Sequence, residues 1–139
     1  MRILIIDDDT GMTDLLTILL TPASTEVLIA NTAQEGMRKI LASHPDVVIL
    51  DLMLPEINGF DLCRQIREVS SVPLLVLSAL DSPAVVAQAL DSGADEFLTK
   101  PTSSGTLIAH LKKLVRRSAM QKKNSSIAEP GIPQARTLK

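Results

Sequence analysis

The sequence predicts an α/β protein built on an open, doubly wound parallel sheet, and three observations predict it. Short apolar stretches typical of strands alternate five times with longer stretches in which apolar residues recur at helical spacing. The strand candidates are apolar at nearly every position, as in parallel strands that helices cover on both faces. Hydrophobic residues make up 45% of the 139 residues, which suits the core of one domain. With right-handed crossovers, five strand–helix units form one such sheet.

The first two units span "RILII" to "KILAS". The strand "RILII" precedes the helix "MTDLLTILL", and "TEVLIA" precedes "NTAQEGMRKILAS". Thr32 and Glu35 have the spacing of a capping box, which predicts the start of the second helix. Helical spacing predicts the buried face of the first helix as Met12, Leu15, Leu16 and Leu19, and that of the second as Ala33, Met37, Ile40 and Leu41.

The other three units follow the same order. "DVVIL" and "GFDLCRQIREV" are a strand and a helix, and so are "VPLLVLSA" and "SPAVVAQALDSG". Pro83 stands in the first turn of the fourth helix and Gly93 at its end, as those residues prefer. "EFLT" is a short strand before the last helix, "SGTLIAHLKKLVRR". Gly105 weakens the start of that helix by roughly 0.5–1 kcal/mol relative to Ala.

The end of the chain differs in composition and charge. From Ser118 onward there is no apolar period, and Ser, Pro and Gly recur, which predicts a domain over 1–117 and a linker or disordered tail over 118–139. Residues 1–115 contain 15 acidic and 8 basic residues, whereas residues 116–139 contain one acidic and six basic residues. The acidic body argues against nucleic-acid binding by the domain itself.

The sequence also predicts a compartment. It opens without the pattern of a signal peptide, and no apolar stretch approaches the ~20 residues of a membrane span. The single cysteine, Cys63, cannot form an internal disulfide and is interpreted as a small core residue of a reduced protein. We therefore expect a cytoplasmic protein that does not contact a membrane.

Acidic, hydroxyl or amine side chains stand at the ends of four of the five predicted strands. In open parallel sheets, ligands bind outside the carboxyl ends of the strands, so these residues are expected at one edge. A single one would be interpreted as a helix N-cap, but the set together indicates a site. The residues at these strand ends are Asp7, Asp8 and Asp9 after strand one, Asp51 after strand three, Ser78 at strand four and Lys100 after strand five.

The residue types at this edge indicate phosphoryl chemistry. Clustered carboxylates must be neutralised, protonated or bridged by a metal ion. Oxygen ligands with no His or Cys nearby suit Mg²⁺. A hydroxyl and an amine can take the remaining oxygens of a phosphoryl group, and an aspartate can itself be the nucleophile. The edge is therefore expected to hold a phosphoryl group next to Asp51.

Four stretches, "IIDDD", "DVVILDLMLPEINGFDLC", "VPLLVLSA" and "GADEFLTKP", occur in the order and at the separations of a known family. From about Arg2 to Arg117 the chain resembles the receiver domains of two-component response regulators. The resemblance implies a flavodoxin-like (βα)5 sheet with strand order 2-1-3-4-5. It also implies that the protein is not a metabolic enzyme but a switch that accepts a phosphoryl group from a histidine kinase and slowly dephosphorylates itself.

The resemblance implies a role for each matching residue. Asp51 corresponds to the phosphoacceptor, and the Lys100–Pro101 peptide bond is expected to be cis. The implied Mg²⁺ ligands are Asp7, Asp8, Asp51 and the backbone carbonyl of Met53. The implied switch and phosphoryl-binding residues are Ser78, Phe97 and Lys100. Asp9 falls outside the acidic pair and is interpreted as a helix cap. Two alternatives to these roles stay open. Phe97 could be an ordinary core residue, and Lys100 could be a surface residue that forms a salt bridge.

One surface departs from the pattern of the winged-helix transcription factors of this family. Charges that pair across an active dimer are usual there, but the corresponding positions hold Val86, Thr106 and His110. Asp95 and Glu96 remain, while their usual basic partner is replaced by His110, which is interpreted as a solvated helix residue. These residues do not favour the usual charged dimer, and they leave open a phosphorylation-dependent homodimer through another, more apolar interface.

The output of the switch has several candidates. "LVRR" before a polar segment is typical of a receiver that precedes a DNA-binding domain, which this chain does not include. A stand-alone receiver acting through protein contacts is the alternative. "DDDTG" also resembles the signature of haloacid dehalogenase-type Mg²⁺-dependent phosphohydrolases, with Asp7 as nucleophile, but a second late acidic pair is missing. A flavodoxin-like nucleotide binder lacks support because no Gly-rich loop follows any strand.

Overall fold

A computed structural model describes residues 1–24 and 26–131, with side chains through residue 123. The elements in chain order are β1 (Arg2–Ile6), α1 (Thr10–Leu20), a 3₁₀ turn (Thr21–Ala23), β2 (Glu26–Ala30), α2 (Ala33–Ser43), β3 (Val47–Leu50), α3 (Gly59–Val69), β4 (Leu74–Ser78), α4 (Pro83–Asp91), β5 (Glu96–Thr99) and α5 (Ser104–Gly131). The five strands form one parallel sheet in the order β2-β1-β3-β4-β5. This confirms the predicted fold class and strand order.

The core consists of two apolar layers, one on each face of the sheet. In β1, Ile3 and Ile5 face α1 and α5, and Leu4 and Ile6 face the layer formed with α2, α3 and α4. All four side chains are fully buried, because a central parallel strand is covered on both sides. Cys63 of α3 lies in the second layer, as expected, and burial raises the pKa of its thiol to about 11.

Two predicted helix faces are partly wrong. In α1 the buried residues are Thr13, Leu16 and Leu20, while Leu15 is 49% exposed. Thr13 can be buried because its hydroxyl donates to the Thr10 carbonyl. In α2, Leu41 is 53% exposed.

A glycine explains the orientation of α2. The buried residues of this helix are Ala33, Gly36 and Ile40. A Cβ atom at Gly36 would stand 2.6 Å from Cδ1 of Ile6, so the helix packs unusually closely on β1 there. The side chain of Leu41 then lies on the solvent side, because α2 is turned so that Gly36 faces the sheet.

The last helix is longer than the sequence predicted. It continues through Ser118 to Gly131, so residues 118–131 are helical rather than irregular. Ala, Met, Gln and Lys, which follow Ser118, are good helix formers that extend a helix already anchored on the core. The domain boundary after Arg117 stays a prediction, since a helical segment can also serve as a linker, and 132–139 lie outside the described residues. Within the described part of the chain, no helix is both long and apolar enough to cross a bilayer.

Candidate functional site

Three carboxylates converge at the carboxyl edge of the sheet. Oxygen atoms of Asp7, Asp8 and Asp51 lie within 4.8 Å of one another. Asp7 is buried, Asp8 is exposed and Asp51 is half-buried, so the cluster opens to solvent on one side. The backbone amide of Asp51 donates to the Ile6 carbonyl at 3.0 Å, which joins the loops that follow β1 and β3. Carboxylate oxygens without His or Cys are the donor set that suits Mg²⁺.

Lys100 supplies the positive charge of this cluster. Its Nζ donates to Asp7 Oδ2 at 3.0 Å and to Asp51 Oδ2 at 3.1 Å, and the side chain is 17% exposed. Burial lowers the pKa of the Lys100 ammonium, but the hydrogen bonds that it donates to Asp7 and Asp51 and the negative charges of these carboxylates outweigh that effect. The pKa is therefore held above its ordinary value, and Lys100 is charged at neutral pH. The Lys100–Pro101 peptide bond is cis.

The loop after β1 is arranged around Asp7. The backbone amide of Asp9 donates to Asp7 Oδ1 at 3.0 Å, and Asp9 Oδ1 in turn accepts from the Met12 amide at 3.1 Å. Asp9 is thus the N-cap of α1, which confirms that interpretation. Because Asp7 Oδ1 is held by Asp9, its other oxygen is left for Lys100.

The loop after β3 places Met53 beside Asp51. The Met53 amide donates to Asp51 Oδ1 at 3.2 Å, and Met53 forms an isolated antiparallel bridge with Asn58. The Met53 side chain is 60% exposed. The loop ends at Asn58, whose side chain accepts from the Phe60 amide and caps α3. Met53 therefore lies next to the cluster, and its carbonyl as a metal ligand stays a prediction.

Ser78 and Phe97 occupy different surroundings. Ser78 ends β4, is fully buried, and its Oγ accepts from the Leu80 amide at 3.2 Å. The Lys100 amide donates to the Ser78 carbonyl at 2.8 Å, which ties Ser78 to the lysine. Phe97 lies in β5 and packs, half-buried, on the layer that also receives Val85 of α4. The structure therefore ties the backbone of Ser78 to that of Lys100, whereas Phe97 packs toward α4.

The acidic residues beside β5 have partners within the chain. Asp95 Oδ2 accepts from Arg67 Nη2 at 2.7 Å and from the Leu74 amide at 2.8 Å. Glu96 contacts His110 Nδ1 through Oε1 and Lys113 Nζ through Oε2, the latter at 2.8 Å. His110 is thus paired with Glu96 and not merely solvated, which corrects the expectation for it. Helical spacing in the sequence cannot predict such a pair, because Glu96 lies in β5 and His110 in α5.

Burial and hydrogen bonding oppose each other at Glu96. Burial raises the pKa of its carboxyl, but the hydrogen bonds from Lys113 and His110 and their positive charge outweigh it. The pKa of Glu96 is therefore held below its ordinary value.

Two other positions differ from the pattern of the winged-helix transcription factors. Val86 is half-buried, while Thr106 is exposed and its backbone amide donates to Ser103 Oγ at 3.1 Å.

Two residues near the cluster were missed at the level of sequence. Asn31 follows β2, and its Nδ2 donates to the Asp7 carbonyl at 2.9 Å. The strand-end rule that selected Asp7 and Asp51 would also have selected Asn31. Glu56 accepts from the Ala33 amide at 2.7 Å, and no sequence signal indicated that contact between distant loops.

Comparisons with known proteins agree with this geometry. A sequence model described as the response regulator receiver domain matches residues 3–112. The DNA-binding response regulator MtrA of Mycobacterium tuberculosis is 36% identical over 117 residues, which cover 84% of this chain and 51% of MtrA. The DNA-binding dual master transcriptional regulator RpaA of Synechocystis is 39% identical over 120 residues, covering 84% and 50%. The chain therefore spans about half the length of the curated relatives it matches.

Two solved receiver domains are matched over nearly their whole length and over most of this chain. The receiver domain of the Francisella response regulator 1452 superposes with a TM-score of 0.79 at 30% identity and covers 84% of this chain and 98% of its own. The BeF3-activated N-terminal receiver domain of Klebsiella pneumoniae RstA gives a TM-score of 0.79 at 29% identity, covering 84% and 99%.

Proposed function

The chain belongs to the family of response regulator receiver domains, and from that premise we propose that it is a signalling switch phosphorylated on Asp51. The phosphoryl donor is the phosphohistidine of a histidine kinase, as for receiver domains in general. The observation that carries this proposal is the position of the Lys100 ammonium, which joins Asp51 to Asp7 across the acid cluster. A phosphoryl group on Asp51 would meet that ammonium directly.

The transfer follows from the groups at this edge. A carboxylate oxygen of Asp51 attacks the phosphorus, the P–N bond to the kinase histidine breaks, and its electron pair returns to the imidazole nitrogen. The product is an acyl phosphate on Asp51. The Lys100 ammonium stabilises the charge on the phosphoryl oxygens, because it is held in place by Asp7 before the reaction begins.

The acid cluster fits the Mg²⁺ that receiver domains bind. Asp7, Asp8, Asp51 and the carbonyl of Met53 would hold the ion. When bound, Mg²⁺ supplies positive charge for the phosphoryl oxygens. Asp8 is the exposed member of the set, so we propose that it is the first of these residues to contact an ion arriving from solvent.

We propose that Ser78 and Phe97 carry the change to the surface. The Ser78 hydroxyl now accepts from the Leu80 amide and would turn to donate to a phosphoryl oxygen on Asp51. Phosphorylation adds charge close to −2, which favours that rotation. Phe97 would then change its burial beside α4, altering the face formed by α4, β5 and α5.

We propose that the output of the switch is the control of DNA binding. The matched relatives are DNA-binding response regulators about twice as long, so we propose a DNA-binding domain after the α5 helix. DNA contact would come only through that domain, since the receiver is acidic. A stand-alone receiver acting through protein contacts is the alternative. We further propose that the protein is cytoplasmic. We also expect the phosphorylated protein to dephosphorylate itself slowly.

Intact mass measurement after incubation with acetyl phosphate and Mg²⁺ tests the acceptor. We expect the wild type to gain one phosphoryl group and Asp51→Asn to gain none. Asp14→Asn, an exposed carboxylate on α1, is the matched control and should behave as the wild type. Full labelling of Asp51→Asn together with loss in Asp7→Asn would instead support the aspartyl phosphohydrolase.

Light scattering with Mg²⁺ and beryllofluoride, a phosphoryl mimic, tests the homodimer. Asp95 and Glu96 are engaged within the chain, so we expect a dimer to use the uncharged residues of α4 rather than charge pairs. A dimer that weakens strongly with salt would contradict this arrangement. A monomer in both states would favour the stand-alone alternative.

A further inference from the structure

We propose that the turn between β2 and α2 braces the acid cluster, with Asn31 and Glu56 as positioning residues. The turn, residues 31–33, contacts both loops that carry the clustered carboxylates, one on each side. The inference deepens the proposed function and rests on it, because the cluster's task is to hold Mg²⁺ and the phosphoryl group. Neither residue touches the reacting atoms in this arrangement.

Asn31 holds the loop after β1. Its Nδ2 donates to the Asp7 carbonyl at 2.9 Å, and the Asp7 amide donates to the Ala30 carbonyl at 3.1 Å. Both polar groups of the Asp7 backbone are therefore attached to the end of β2. The backbone amide of Asn31 donates in turn to Glu35 Oε1 at 3.1 Å, which anchors Asn31 on α2. The direction of the Asp7 side chain, toward Lys100, follows from this fixed backbone.

Glu56 holds the loop after β3. Its Oε1 accepts from the amide of Ala33, the first residue of α2, at 2.7 Å. Amides in the first turn of a helix have no partner within the helix, and the helix dipole favours a carboxylate there. Thr32 already caps α2 by accepting from the Glu35 amide. Glu56 is therefore a second, tertiary cap that reaches α2 from the loop containing Asp51 and Met53.

The two contacts together connect opposite sides of the cluster. The loop with Asp7 and Asp8 is tied to Asn31, and the loop with Asp51 is tied to Ala33, two residues further along. Three carboxylates within 4.8 Å repel one another, and the Lys100 ammonium and the Asp51–Ile6 backbone hydrogen bond already oppose this repulsion. The turn adds a further restraint, because both loops are attached to it at the separations that the structure shows.

Loss of the brace should weaken Mg²⁺ binding while leaving the chemistry intact. Outer partners that orient metal ligands typically contribute 10–100-fold in affinity. We expect about 10-fold weaker Mg²⁺ binding in Asn31→Ala and in Glu56→Asp, the latter keeping the charge but shortening the reach. At saturating Mg²⁺, phosphoryl incorporation from acetyl phosphate should match the wild type.

Amide NMR spectra during a Mg²⁺ titration provide the affinity, since the chain has no Trp or Tyr for fluorescence. Gln34→Ala, an exposed change on α2, is the control for Asn31→Ala, and Glu68→Asp, an exposed change on α3, is the control for Glu56→Asp. Hydrogen exchange of the Ala33 amide should accelerate in Glu56→Asp and not in Glu68→Asp. Asn31→Asp, which replaces the donor by an acceptor, is the second variant should Asn31→Ala fold poorly.

Each outcome decides the proposal. Unchanged Mg²⁺ affinity in well-folded Asn31 and Glu56 variants would overturn the brace. So would loss of incorporation that saturating Mg²⁺ does not restore, because the residue would then act in the chemistry or as a ligand. Failure of the wild type itself to bind Mg²⁺ or to accept the phosphoryl group would instead count against the proposed function.

Discussion

The ammonium nitrogen of Lys100 lies 3.1 Å from a carboxylate oxygen of Asp51. The same nitrogen lies 3.0 Å from Asp7, whose side chain is nearly inaccessible to solvent. One positive charge thus serves two carboxylates, with Asp8 as a third nearby. In the proposed mechanism Mg²⁺ would share this task, so the lysine and the ion stabilise the same group of charges.

Replacing Lys100 should make the fold depend more on Mg²⁺. Lys100→Met removes both hydrogen bonds to carboxylates, and we expect it to lower the free energy of unfolding by about 1.5–3 kcal/mol without Mg²⁺. Adding Mg²⁺ should raise the melting temperature more in this variant than in the wild type, because the ion neutralises the carboxylates that have lost the lysine. Thermal unfolding with and without Mg²⁺ measures this, with exposed Lys112→Met as control. Equal gains in both proteins would contradict the shared role.

The pairing of Glu96 predicts a pH dependence of stability. Its folded pKa lies below the ordinary value of 4.5, so Glu96 stabilises the fold fully above that pH. The contribution should be lost as the pH falls through the folded pKa, since protonation then removes the pairing. We expect Glu96→Gln to be less stable than the wild type at pH 7 and the two to converge as the pH falls through the folded pKa of Glu96.

Urea unfolding followed by circular dichroism at a series of pH values measures this convergence. The exposed change Glu68→Gln should run parallel to the wild type throughout the series. A difference for Glu96→Gln that is constant with pH would show that the lost stability comes from packing rather than from the ionised carboxyl.

The sequence was sufficient for the order of elements and for the cluster at the sheet edge. Both depend on local signals: apolar runs for strands, helical spacing for helices, and polar residues at strand ends. Asp7, Asp51 and Lys100 could be placed together because parallel strands bring their carboxyl ends to one edge. The position of Leu15 could not be foreseen, since a helix with apolar residues on more than one side leaves its rotation to the tertiary packing.

Contacts between distant loops were also beyond the sequence. The fold brings separate elements together and so creates contacts that no single segment predicts. These are the contacts of Glu56 with Ala33, Arg67 with Asp95 and Glu96 with His110. Each of these charged residues is unremarkable in its own segment. The length of α5 was missed for the opposite reason: Ser, Gly and Pro suggested an irregular segment, but the residues between them favour a helix.

Arg67 should be a strong determinant of stability. Its guanidinium donates to the carbonyls of Gly93 and Val72 at 2.9 and 2.6 Å and to Asp95. These bonds join α3 to the segment before β4 and to the segment between α4 and β5. Arg67→Ala leaves these acceptors without their donor, and we expect a loss of about 1.5–3 kcal/mol. Arg64, one turn earlier in α3, forms a single ion pair among the described residues, with exposed Asp61, so Arg64→Ala should cost less than about 1 kcal/mol.

Chemical denaturation of the two arginine variants provides the comparison. Both substitutions remove a positive charge from the same helix, so a general effect of charge would destabilise them equally. Equal losses would therefore contradict the role of the Arg67 hydrogen bonds. Arg67→Lys should recover only part of the stability, because an ammonium cannot reproduce the fork of a guanidinium.

Two glycines should respond to alanine in opposite ways. A Cβ atom at Gly59 would stand 2.6 Å from the Leu52 carbonyl oxygen, which also accepts from the Gly59 amide at 3.0 Å. Gly59→Ala must therefore displace the backbone next to Asp51, and we expect a loss of about 1–3 kcal/mol together with weaker Mg²⁺ binding. A Cβ at Gly105 meets no atom within 4 Å, so Gly105→Ala should stabilise α5 by about 0.5–1 kcal/mol.

Thermal unfolding and Mg²⁺ titration of both glycine variants separate these effects. Gly105→Ala should raise the melting temperature and leave Mg²⁺ affinity unchanged, because the start of α5 does not contact the acid cluster. A destabilised Gly105→Ala would mean that the helix start needs the freedom of glycine. A Gly59→Ala protein with native stability and native Mg²⁺ affinity would contradict this prediction. It would show that the loop after Asp51 can shift without moving the Asp51 carboxylate. The geometry of the cluster would then depend on Lys100 and on the residues after β1.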